Sequence, residues 1–156
     1  MTDQAFEQAL LELTESMYRI CYAQLRNPAD REDAVQEALK RAWEKRKTLR
    51  EEGALKGWLF RILINECHNI QRKNQRMHPA EYLPLPAIPE DANSTLHDLL
   101  LSLPQKLRIT AVLVFMEGMT AAQAAKILKV PQGTVSSRIH KARKTLKEQW
   151  EEANRE

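Results

Sequence analysis

Residues 130–147 read VPQGTVSSRIHKARKTLK. Within them Val135, Ile139, Ala142 and Leu146 recur four, three and four positions apart, a spacing that draws one narrow apolar stripe along an α-helix. Between Lys126 and Lys147 stand seven lysines or arginines and no aspartate or glutamate. An ordinary surface helix mixes the two signs, because opposite charges three or four positions apart support each other. A helix with one stripe to bury and an acid-free basic remainder is suited to a polyanionic partner. The plainer alternative is a solvated basic face on a bundle helix, and the missing acids weigh against it.

Working outward, Pro131 is expected at the first helical position, where its missing N–H costs nothing. Thr120 and Gln123 fit a capping box for a short helix, AAQAAKILK (121–129). Gly118 suits the C-cap of the helix before it, in QKLRITAVLVFMEG (105–118). A short helix, a tight turn and a second exposed helix make a helix-turn-helix, which sets the start of its second helix in a DNA major groove. With the stripe turned inward, Gln132, Ser136, Ser137, His140, Lys141 and Lys144 face out. Together with Thr134 they are candidates to reach base edges. Arg138, Arg143 and Lys147 suit phosphates, which give affinity without sequence information.

The rest of the chain also reads as helices. Of its 156 residues 43% are hydrophobic and 29% charged, and the net charge of +3 hides a segregation. The first fifty residues are mixed, residues 81–98 acidic and the last third basic. Phe6, Leu10, Leu13, Met17, Ile20, Cys21 and Leu25 predict one amphipathic helix, stopped at Asn27-Pro28. Asp30 is expected to cap a second helix with Val35, Ala38, Leu39, Ala42 and Trp43 on its apolar face. KTLREEGALK (47–56) reads as a loop. A third helix begins near Lys56 and carries Leu59, Ile62, Leu63, Ile64, Cys67 and Ile70. Pro79, Pro84, Pro86 and Pro89 then forbid a helix and favour extended backbone. The expected fold is therefore all-α, in two small domains. Residues 1–76 form a bundle of three to four helices, 77–94 an extended acidic proline-rich linker, and 95–156 the helix-turn-helix domain.

Several classes drop out. No apolar run approaches the ~18 residues that span a bilayer, and MTDQAFEQ (1–8) is too acidic and polar for a signal peptide. Membrane insertion is not expected, and a cytoplasmic location is. Cys21 and Cys67 each occupy an apolar helical position and read as buried thiols, suited to a reducing compartment. The Cys67-His68 pair lacks any CxxC or HxxxH spacing, so no metal is assigned. His68, His78, His97 and His140 are scattered, and no carboxylate pair, phosphate loop or nucleophile motif is present. An enzyme is not expected, nor is a cofactor. Only a few residues come after the last helical pattern, and no further regulatory domain is expected there.

LSLPQKLRITAVLVFMEGMTAAQAAKILKVPQGTVSSRIHKARKTL (101–146) resembles the promoter-binding domain of extracytoplasmic-function (ECF) sigma factors of the sigma-70 family. Their pattern there is LP…R…GxSxxEIAxxLGxPxGTVxSRxxRAR, and GTVSSRIHKAR (133–143) matches it closely. Lys129 stands where the family has glycine, which predicts a turn conformation open to a side chain. Ser136 stands where a basic residue is frequent. NPADREDAVQEALKRAWEK (27–45) resembles the family's polymerase-docking segment, commonly DAEDLVQETFLRAW. That implies that Asp33, Gln36, Glu37 and Arg41 face core RNA polymerase. GWLFRILINECHNIQRKNQR (57–76) resembles the segment that captures the −10 promoter element as a melted strand, usually WLYRIARNLALDHLRRRRR. Asn65 matches the asparagine near the flipped base, with Arg61, His68, Asn69, Arg72 and Lys73 as its companions. Trp58 and Phe60 are candidates to stack on bases, although Trp58 shares a face with Ile62 and reads better as core. By analogy the loop 47–56 would wall the flipped-base pocket.

The resemblance implies a sigma factor that binds core polymerase, opens the −10 element and reads the −35 element as duplex, and an anti-sigma factor as a further partner. In that family the two elements lie roughly one and a half DNA turns apart, about 50 Å at ~34 Å per turn. A polyproline linker over 77–94 reaches about 55 Å at ~3.1 Å per residue. Two other readings stay open on residues alone: a stand-alone helix-turn-helix regulator, and a helical module whose basic end binds RNA or an acidic protein.

Overall fold

The first helix starts because Thr2 caps it, its hydroxyl accepting the Ala5 N–H at 3.0 Å. In the computed structural model, which describes residues 1–77 and 95–155, α1 spans Asp3–Glu12 and α2 spans Thr14–Gln24. The single helix expected through Leu25 is thus two, hinged at Leu13 with φ −93° and ψ −3°. The Thr14 hydroxyl donates to the Leu10 carbonyl at 3.1 Å. Such back-bonding bends helices at threonine.

Pro28 stops nothing; it opens α3 (Pro28–Glu44), and Asn27 caps the helix by accepting the Ala29 N–H at 2.8 Å. Asp30, expected as the cap, lies in the first turn and accepts from Asn74 Nδ2 at 3.0 Å. The proline's fixed φ suits a helix start as well as a break. Two 3₁₀ turns, Arg46–Thr48 and Glu52–Ala54, carry the chain through the expected loop to α4, Leu55–Met77.

The described residues fall into two compact units, Met1–Leu83 and Pro84–Glu156. In the first, α2, α3 and α4 pack on one another. α3 contributes Ala34, Val35, Ala38 and Ala42, and α4 contributes Leu55, Leu59, Phe60, Leu63, Ile64 and Cys67, all buried. Each fully buried leucine, isoleucine or phenylalanine stabilises by about 1.5–3 kcal/mol. Leu39 is only half-buried and Trp43 is 38% exposed at the rim. Trp43 and Trp58 both pack against buried Phe6, with centroids 6.3 and 6.1 Å from its ring. Cys21 and Cys67 meet as free thiols in this core, Sγ to Sγ 3.8 Å. The Cys21 hydrogen bond, then burial, pushes the Cys67 thiol far up from its ordinary range.

In the second unit α5 (Thr95–Leu101) and α6 (Gln105–Ala111) pack against the last helix. α6 continues into a π-helical turn, Val112–Met116, that ends at Gly118 with φ +71°. Only glycine enters that region freely. Arg108 is buried and donates to the carbonyls of Leu101 and Leu103, at 3.3 and 2.7 Å, closing the end of α5. Burial pulls its pKa below the ordinary arginine value. α7 (Ala121–Leu128) has the expected capping box: Thr120 Oγ1 accepts the Gln123 N–H, and Gln123 Oε1 accepts the Thr120 N–H. α8 runs Gln132–Ala153, with Pro131 as its N-cap rather than its first helical residue. Among the described residues there is no strand. Of the expected linker 77–94, Met77 belongs to α4 and the remainder lies outside the described residues.

Candidate polymerase and promoter interfaces

Burial of Ala34, Val35, Ala38 and Ala42 turns the opposite face of α3 outward. Asp33 and Gln36 are exposed there, and Glu37 and Arg41 are half-buried. Gln36 Nε2 donates to Glu32 Oε1 at 3.1 Å, and the Tyr18 hydroxyl donates to Glu32 Oε2 at 2.7 Å. This bond pushes the Tyr18 pKa up to about 12, with burial and the carboxylate charge adding to it, and holds Glu32 below the usual carboxylate range.

Arg41 does not project with Asp33 as a free contact. Its Nε lies 3.2 Å from Glu37 Oε1 on its own helix and 2.7 Å from Glu66 Oε1 on α4. The approach is ionic rather than an aligned hydrogen bond, since the Nε makes none. Glu66 is buried at 7% exposure. The sequence reading passed over it, yet a signal was there: Glu66 falls four positions after Ile62 and four before Ile70, an acid on an apolar stripe.

Farther along α4, Arg61, His68, Asn69, Arg72 and Lys73 are exposed or half-buried, as is Asn65. Asn65, His68, Asn69, Arg72 and Lys73 stand at helical spacing along one side, and Arg72 Nη2 donates to Asn69 Oδ1. Phe60 cannot stack on a base, because it is fully buried; Leu59 and Phe60 both turn into the core. Trp58 is half-buried, edge-on to Phe6. The loop before it is anchored by Arg46, whose Nε lies 3.0 Å from Asp3 Oδ1 and whose guanidinium lies 4.1 Å over the Trp43 ring.

On α8 the expected stripe is inward: Val135 and Ala142 are buried, Ile139 and Leu146 half-buried. Gln132, Ser136, Ser137, His140, Lys141, Arg143 and Lys144 lie on the outer side, with Thr134 and Arg138 half-buried. The Arg143 guanidinium lies 5.3 Å from the Phe115 ring, a cation–π contact that holds it toward the end of the α6 segment. The turn before α8 departs from expectation. Lys129 sits at φ 59° and ψ 44°, so the left-handed turn that suits glycine is kept with a lysine in it. No group of three or more metal-ligating side chains occurs among the described residues. Among them no helix is long and apolar enough to cross a membrane.

Two family models match the chain, Sigma-70 region 2 over residues 12–77 and Sigma-70, region 4 over residues 94–146. The ECF RNA polymerase sigma factor SigM of Mycobacterium tuberculosis is 31% identical, over 91% of this chain and 75% of its own length. The ECF RNA polymerase sigma factor SigW of Bacillus subtilis is 29% identical, over 86% and 83%. Among solved structures, the sigma factor RpoE of Bartonella quintana, crystallised with the anti-sigma factor NepR, superposes with a TM-score of 0.81 at 26% identity, covering 97% of this chain and 99% of its own. The readings as a stand-alone regulator or an interaction module give way to this finding. An α4 face rich in arginine and asparagine, an α8 without acids over residues 132–147, and relatives of this kind along nearly the whole chain lead to one conclusion: the protein belongs to the ECF RNA polymerase sigma factors, which direct polymerase to promoters.

Proposed function

We propose a division of labour within that role. The N-terminal domain, residues 1–76, docks on core polymerase through the α3 face around Asp33, Gln36 and Glu37. It holds the −10 strand along α4 with Asn65, His68, Asn69, Arg72 and Lys73, assisted by Arg61 and the edge of Trp58. The C-terminal domain, residues 95–156, reads the −35 element as duplex through Gln132, Thr134, Ser136, Ser137, His140, Lys141 and Lys144, with Arg138 and Arg143 on phosphates. Residues 77–94 tether the two. The observation that carries the reading is the exposed, acid-free stretch of α8 over residues 132–147, above its buried Val135 and Ala142.

Energetically, contacts to unpaired bases offset the cost of unstacking them, and phosphate contacts supply sequence-independent affinity. Bond-making chemistry is left to the polymerase, and this chain supplies address and strand opening. Work beside polymerase places it in the cytoplasm, which the buried free thiols suit. An anti-sigma factor is a further proposed partner, on the strength of the Bartonella quintana complex.

Photo-crosslinkers at His68 and His140, in the complex with polymerase on a promoter, test the division. The His68 probe is expected to couple to the opened strand and the His140 probe to duplex upstream of it. Coupling of both to the same segment overturns the assignment.

A further inference from the structure

Arg41 lies on α3, the helix assigned to polymerase docking, and Glu66 lies beside Asn65 on α4, the helix assigned to the −10 strand. Their side chains meet at 2.7 Å, and Glu37 stands 3.2 Å from the same Arg41 nitrogen. The Arg41 side chain is 42% exposed and that of Glu66 only 10%. A carboxylate this deep costs free energy unless paired, and removing one partner of such a pair strands the other charge. Glu66 therefore holds Arg41 inward, and the Arg41 guanidinium is committed between two carboxylates before any partner arrives. Where α3 and α4 pack, Ala34, Ala38 and Ala42 of α3 and Leu59, Leu63 and Cys67 of α4 are all buried, and such side chains fill space without forming directional bonds. The ion pair is a polar contact across these two helices, beside the Asp30–Asn74 hydrogen bond farther along them.

We propose that the Glu37–Arg41–Glu66 chain is a positioning device: it sets α4 against α3, so that seating α3 on polymerase places the base-contacting side of α4. Arg41 then acts through Glu66 and does not contact polymerase. This rests on the proposed division of labour. On this proposal Arg41 leaves the set of direct polymerase contacts, and Glu66, one residue from Asn65, joins as a residue governing strand opening.

The test is a double-mutant cycle in the full chain with core polymerase, using Arg41→Gln, Glu66→Gln and the pair. Polymerase affinity is read by fluorescence anisotropy. Strand opening is read by a fluorescent base analogue in a promoter that the wild-type complex has selected from genomic fragments. Each single variant is expected to bind polymerase within about twofold of wild type and to open duplex about tenfold more slowly, a difference of ~1.4 kcal/mol. The pair should be no slower than either single, and a pre-opened promoter should restore all three. Additive loss in the pair, a weakened polymerase affinity for Arg41→Gln alone, or no recovery on the pre-opened promoter overturns the proposal. Failure of the wild type itself to direct initiation would instead sink the underlying division of labour. If a glutamine variant loses its helical circular dichroism, Arg41→Lys takes its place. It keeps the charge but not the planar fork, and should slow opening severalfold at unchanged polymerase affinity; wild-type opening overturns the proposal.

Discussion

Lys129 holds the turn between α7 and α8 at φ 59° and ψ 44°. A left-handed residue with a Cβ costs roughly 1–2 kcal/mol, and glycine avoids that cost at some expense in unfolded-chain entropy. Lys129→Gly should therefore stabilise the C-terminal domain by about 1 kcal/mol, raising its Tm by roughly 4–8 °C, read by thermal unfolding. An unchanged or lower Tm would contradict the conformation. The substitution for glycine was visible in the sequence; what was not visible was that the backbone would keep the turn and bear the strain. Tyr18 offers a second residue-level test. Its pKa is raised to about 12 by the bond to Glu32. A raised acid contributes stability that is present below the unfolded value of ~10 and lost as pH climbs toward 12. The depressed Glu32 contributes at the other end, losing its share as pH falls through its lowered pKa. The ultraviolet difference titration between wild type and Tyr18→Phe should centre near 12, and a midpoint near 10 would refute the bond.

Helices were legible as elements wherever an apolar stripe recurred without competition, as in α3, α4 and α8. Their ends were less so, because one residue type serves opposite ends of a helix. Pro28 reads as a stop for the helix before it and acts as the first residue of the helix after it. The Leu13 hinge escaped notice since the stripe continues straight through it. The kink instead comes from the Thr14 hydroxyl, whose bond to Leu10 depends on geometry rather than on pattern. Asn27→Ala should cost the N-terminal domain about 1 kcal/mol in a denaturant titration, while Asn27→Asp, which keeps an accepting oxygen, should be nearly neutral. Equal loss in both would move the cap elsewhere. At the seam of α2 and α4 the buried thiols of Cys21 and Cys67 should react with maleimide only as fast as the domain opens. Rapid labelling of the folded chain would contradict their burial.

At the scale of the whole molecule, the all-α class and a helical pattern at each end of the chain could be read directly, because prolines and a shift in charge mark the stretch between. The candidate DNA face of α8 was equally legible: its stripe and its exposed residues lie on the expected sides. The interior of the N-terminal interface was not, since Arg41 is exposed by helical spacing alone and is claimed by Glu66 only once α3 and α4 are packed. If the two domains divide the work as proposed, Lys141→Ala should weaken promoter binding of the polymerase complex by several-fold and flatten its salt dependence by about one counterion, with polymerase affinity unchanged. Asp33→Ala should do the reverse. Equal loss of both activities in either variant would contradict the assignment. The division of labour stands or falls most directly on run-off transcription with purified core polymerase, with and without this chain, on a pool of genomic fragments. Transcripts from discrete start sites that share upstream elements are predicted only when the chain is present. Starts that are unchanged by the chain, or that share no sequence, would contradict it.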